Sequence, residues 1–209
     1  MKPNIILLAG LLLVMACSKT GKPESISSLT DGRRATVEGM IAALSRRGVI
    51  LTDNRGDNVY VYVGPDFDHT SFKVGDCVRV DADVASYRGL VELKNPTIER
   101  IGYDSCNYPY PYEVTESGFY DYISSLRSPE YMCSTGRILP NEAGNMFYLV
   151  WSQDYSRTLE FEFPVIDMNQ YLYANAGKEV RVEGYNLWAK EYDSGNEVLC
   201  VVLTNIEFI

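Results

Sequence analysis

A chain of 209 residues has room for one large or two small domains, and its 46% hydrophobic and 22% charged residues exclude disorder as the default state. A formal net charge of −9 argues against a general binder of polyanions, because such binding draws its affinity from neutralised phosphates.

The first residues read as a processing segment. Lys2 gives a positive start, and the apolar run 5–16 is shorter than the ~20 residues a membrane-spanning helix needs. The run ends in Leu13-Val14-Met15-Ala16-Cys17, which resembles the lipobox of bacterial lipoproteins. The resemblance implies that residues 1–16 are removed and that Cys17 carries the lipid. Each acyl methylene buried in a membrane is worth ~0.8 kcal/mol, so several chains make a stable anchor. Residues 17–25 then form a tether rich in Lys, Gly, Pro and Ser. They lack the acidic cluster that resembles a surface-export signal in Bacteroidota-type lipoproteins. The expected address is therefore the cell envelope, at the outer membrane facing the periplasm. Such a compartment permits disulfides among Cys77, Cys106, Cys133 and Cys200, with three full pairings open and buried thiols as the alternative. The spacing of these cysteines fits no zinc knuckle, so neither a metal nor a cofactor is expected.

The rest of the chain is one unit written twice. Ile26-Ser27-Ser28-Leu29 and Gly39 return as Ile123-Ser124-Ser125-Leu126 and Gly136. Val59 to Val63 faces Leu159 to Phe163, and Val78-Arg79-Val80 faces Val180-Arg181-Val182. In the first unit, strands are expected over 35–44, 48–53, 58–63, 77–86 and 90–101. Asn54-Arg55-Gly56-Asp57 forms a tight turn, and Val59, Val61 and Val63 alternate with Tyr60 and Tyr62 at the period of a half-buried strand. The second unit supplies strands over 133–139, 146–153, 158–165, 179–190 and 197–209, with a last hairpin turn at 193–196. A short helix over 117–126, capped by Thr115, precedes it. Five strands with a longer connector after the third form a small Greek-key barrel, the OB-fold. The predicted architecture is all-β. A first OB-like barrel spans 26–103, a Tyr/Pro-rich linker 104–116, and a short helix with a second OB-like barrel 117–209.

The segments Val37-Glu38-Gly39, Gly48 to Asp53 and Val74-Gly75-Asp76 with Val78-Arg79-Val80 resemble OB-fold modules in secreted and lipid-anchored proteins of Bacteroidota-type bacteria. The resemblance implies tandem OB barrels on a lipoprotein, and it implies the fold more than a ligand.

An OB barrel binds on the face of its second and third strands, rimmed by two loops. In the first unit those places hold Tyr60 and Tyr62, Arg46 and Arg47, and Tyr87 and Arg88. Rings there can stack on bases or sugars, and arginines can pair with phosphates or carboxylates. The positions matching Tyr60 and Tyr62 in the second unit are Glu160 and Glu162. From Asp104 onward, 16 acidic side chains face 6 basic ones, against 11 and 10 from Asp31 to Ile101. The second barrel therefore reads as a spacer or a protein-contact module. His69, the one histidine, lies beside Asp66 and Asp68 with no nucleophile elbow in the sequence, and Arg55-Gly56-Asp57 is good turn chemistry. The expected function is a binding or assembly module without catalysis. Its partners are the membrane, through the lipid, and a protein or glycan. The alternative is single-stranded nucleic-acid or nucleotide binding by the first barrel.

Overall fold

The computed structural model of the protein describes residues 22–141, 146–151, 157–162, 168–191 and 197–209. Its first half is a closed barrel of β1 (Arg34–Leu44), β2 (Gly48–Thr52), β3 (Asn58–Tyr62), β4 (Asp76–Tyr87) and β5 (Leu90–Tyr103), in the order β1-β2-β3-β5-β4. The β3–β5 pair is parallel and the other pairs are antiparallel. Period-two alternation fills the inside. Val49, Leu51, Val59, Val61, Val78, Val80 and Leu93 form one buried cluster.

β1 serves two partners. Its first part pairs with β4 and its last part with β2. The bend falls at Gly39, where an added Cβ would sit 2.5 Å from the Thr52 carbonyl oxygen. Only glycine lets the two strands approach that closely.

The second half repeats the plan. β6 (Tyr112–Glu113) and α1 (Phe119–Ser125) precede β7 (Tyr131–Pro140), β8 (Phe147–Val150) and β9 (Arg157–Glu162); α2 (Met168–Ala174), β10 (Glu179–Glu191) and β11 (Glu197–Phe208) follow. The strand order is β10-β11-β9-β8-β7, a β10–β7 pairing closes the barrel, and β9–β11 is its parallel pair. Registers match between the halves. Gly39 faces Val78 in the first barrel, and Gly136 faces Val180 in the second. A Cβ on Gly136 would lie 2.7 Å from the Val150 carbonyl oxygen, so the same bend needs the same residue. These are two tandem OB-like barrels.

Several local expectations are corrected. The connector between β9 and β10 carries α2, which alternation did not indicate. Leu172 is buried there, Tyr173 packs edge-on against Phe147, and Tyr171 against Phe208. The N-cap of α1 is Gly118, not Thr115; the Thr115 hydroxyl instead accepts the Gly118 N–H at 3.2 Å. Glu24, within the segment expected as a tether, is bridged to Val37 and forms a bidentate pair with Arg33 at 2.8 and 2.7 Å. Cys77, Cys106 and Cys133 are thiols rather than disulfide partners, the alternative that the sequence left open. The leader, Cys17 and the turn at 193–196 lie outside the described residues.

Asp53 explains the Arg-Gly-Asp turn. Its Oδ1 accepts the Arg55 and Asp57 N–H groups at 2.9 and 3.1 Å, and its Oδ2 accepts the Ile26 N–H at 3.1 Å. One carboxylate thus shapes the turn and docks the N-terminal segment, whose Ile26 and Leu29 join the barrel core. Asp68 is likewise occupied. It accepts the Thr70 N–H and the Thr70 and Ser71 hydroxyls, which hold its carboxyl below the usual range and cap the short turn containing His69.

Candidate ligand-binding cleft

With Val49, Leu51, Val59 and Val61 inside, the pleat turns Ile50, Tyr60 and Tyr62 outward. Most of that face is not open to solvent. A third apolar cluster joins Ala42, Ala43, Ile50 and Tyr60 to Tyr131, Tyr185, Leu187, Cys200 and Val202 of the second barrel. The second barrel therefore lies across the face by which OB barrels bind ligands. The linker seals one edge. Tyr108 stacks on Tyr131 at 4.9 Å and donates to the Ala42 carbonyl at 2.9 Å. Burial raises the Tyr108 hydroxyl pKa well above the ordinary value.

At the other edge the barrels part, leaving a cleft of ≈ 260 Å³. Tyr60 and Tyr62 line one side, Tyr87 the rim of β4, and Glu92 and Lys94 the floor on β5. Arg47 enters from the β1–β2 loop, whose backbone is fixed where the Arg47 carbonyl accepts the Val63 N–H at 2.8 Å. Leu187 and Trp188 of β10 form the opposite wall. Arg88, held at φ 51° in the β4–β5 hairpin, places its guanidinium 4.3 Å from the Trp188 ring and 5.3 Å from Tyr87. This cation–π contact ties the two barrels together at the mouth.

The six residues expected from the sequence divide as follows. Arg47, Tyr60, Tyr62 and Tyr87 line the cleft, and Arg88 lies over its Trp188 wall. Arg46 is exposed and does not line it. Tyr60 is 8% exposed, its hydroxyl is 2.9 Å from the Ser45 hydroxyl, and its ring meets Tyr62 edge-on at 6.4 Å. It supports Tyr62 rather than offering a free stacking face. Tyr87 is 41% exposed and Tyr62 is half-buried.

Glu92, Lys94, Leu187 and Trp188 were not singled out by sequence. A signal for the last two exists in the run Tyr185-Asn186-Leu187-Trp188. It breaks alternation, as a strand covered on both faces does. Glu92 and Lys94 pair at 2.8 Å; that hydrogen bond raises the Lys94 pKa and keeps its charge fixed. The cleft thus offers flat rings, cations on Arg47, Arg88 and Lys94, and one carboxylate. A larger hollow of ≈ 550 Å³ near the N-terminal segment is lined by Glu24, Glu38, Asp53 and Asp104, with Arg55 as its cation and no aromatic ring. In the second barrel the place of Tyr60 is taken by Glu160, which is buried.

No protein-family model and no curated protein matches the chain. Among solved structures it is similar to a replication protein A heterotrimer bound to single-stranded DNA, with a TM-score of 0.39 and 11% identity over 89% of this chain. The chain spans about half of that protein's length, 51%. It is also similar to a murine DNA-binding protein bound with double-stranded DNA, with a TM-score of 0.37 and 8% identity over 83% of this chain and 98% of that one.

Proposed function

We propose that this protein is a non-catalytic binding module whose inter-barrel cleft holds a ring-bearing anion, a nucleotide or a short single-stranded nucleic acid. The observation that carries the reading is the grouping of Tyr62, Tyr87 and Trp188 with Arg47 and Arg88 at one mouth. Rings stack on bases without regard to sequence, and guanidinium groups pair with phosphate oxygens. The net charge of −9 and the cleft's small volume favour a short segment over a long strand.

The same charge favours a second reading, a glycan ligand, because sugar rings stack on tyrosine and tryptophan without needing phosphate neutralisation. Salt separates the two. Two phosphate contacts, at Arg47 and Arg88, predict a log–log slope of affinity against salt of about −1.4 for a thymidine pentamer. Titration of the pentamer and of a neutral glucan pentamer at several salt concentrations measures it. Binding of the glucan alone, with a flat salt response, would replace the nucleic-acid reading by the glycan one.

The proposed setting is the bacterial cell envelope, with Cys17 lipidated. Support comes from the lipobox-like ending of the leader. The pairing of Glu24 on β1 also leaves only a few residues between Cys17 and the first barrel. Metabolic labelling with a palmitate analogue should mark the protein and should fail on Cys17→Ser; equal labelling of both would remove the anchor.

A further inference from the structure

The floor of the cleft holds a group that a general anion site would not need. Glu92 sits in mid-barrel on β5, in register with Tyr60 on one side and Ala85 on the other. Its side chain is 8% exposed, yet it lines the cleft. Among the described residues its one partner is Lys94, at 2.8 Å to Oε1. A carboxylate has about four acceptor positions, and those that Lys94 does not use open on the cleft rather than into the core. The small Ala85 beside it leaves the carboxylate unscreened from the cleft.

We infer that Glu92 makes the cleft selective for guanine, an inference that rests on the nucleic-acid reading above. Guanine presents N1–H and N2–H side by side, two parallel donors that match the two oxygens of one carboxylate. Adenine and cytosine each present one amine beside a ring nitrogen acceptor, which would face the second oxygen. Thymine presents one N–H between two carbonyls, and both carbonyls would be repelled. With the base edge on Glu92 and its faces between Tyr62 and Trp188, the phosphates fall at the mouth, beside Arg47 and Arg88. The floor then reads the base while the rim holds the backbone.

The test uses the full-length protein and labelled thymidine pentamers whose central base is guanine, adenine, cytosine, thymine or inosine. The guanine pentamer is expected to bind about tenfold tighter than those with the other natural bases, as a bidentate contact provides. Inosine lacks the N2 amine and should lose most of that advantage on the unaltered protein. Glu92→Gln keeps the size of the side chain and an oxygen for Lys94, and it should equalise the pentamers. Equal affinities for all five, or a guanine preference that survives Glu92→Gln, would overturn the inference and leave the binding reading standing. If none of the five binds, both fall.

Discussion

Tyr185→Ala is expected to cost about 3–5 kcal/mol, the range for deleting a buried aromatic ring, and to uncouple the two barrels. Tyr185 is 2% exposed although it lies outside its own barrel. Its ring meets Tyr131 at 5.0 Å and Tyr108 at 6.4 Å, and it shares a cluster with Ala42, Ala43 and Ile50 of the first barrel. The interiors of the two barrels are separate clusters and do not contain it. The loss therefore falls on the interface. Urea unfolding followed by circular dichroism should show an earlier midpoint and a split into two steps. Protease should also cut within 104–111 once Tyr108 loses its neighbours. An unchanged single transition would mean that the interface contributes little.

The same burial gives a pH signature. It pushes the Tyr185 hydroxyl up to about 12 from its ordinary 10.0. A raised folded-state value means the interface contribution is complete below pH 10 and is lost as the pH climbs through 12.

Asn186→Leu should destabilise the second barrel by about 3 kcal/mol, because it strands one buried and one part-buried donor at once. Asn186 is 0% exposed. Its Oδ1 accepts the Glu130 N–H at 2.7 Å and the Tyr122 hydroxyl at 3.0 Å, and its Nδ2 donates to the Ser128 carbonyl at 3.5 Å. One amide thus holds α1, the segment leading into β7, and β10. Leucine keeps its branched shape, with more bulk, but makes none of its bonds. Tyr122→Phe removes one donor and leaves Asn186 its bond to Glu130, so about 1 kcal/mol is expected from that change. Equal small effects of both substitutions in urea titrations would show that the network is not holding these elements together.

What could be read from the sequence was what the local period carries. Val59 and Val61 alternate with Tyr60 and Tyr62 because one side of β3 meets a core, and that side is right. The repeated Gly39 and Gly136 mark the same bend in both barrels. Alternation says which residues point outward, but not what covers them. Tyr60 and Tyr62 have the same sequence signature and both line the cleft, yet the packing buries Tyr60 and leaves Tyr62 half-open. Trp188 is far from Tyr62 along the chain, and only the docking of one barrel on the other brings them together. Helix α2 was missed because its apolar contacts, Tyr173 on Phe147 and Tyr171 on Phe208, are also distant in sequence.

The cleft between the barrels carries its own reporter, the tryptophan on its wall. The chain has 2 tryptophans: Trp188 lines the cleft, while Trp151 packs against the core of the second barrel. Titrating the guanine-centred thymidine pentamer while following tryptophan emission should give saturable quenching, and Trp188→Phe should abolish it. Binding that leaves the emission unchanged, or quenching that persists in Trp188→Phe, would place the ligand elsewhere and contradict the assignment of the cleft.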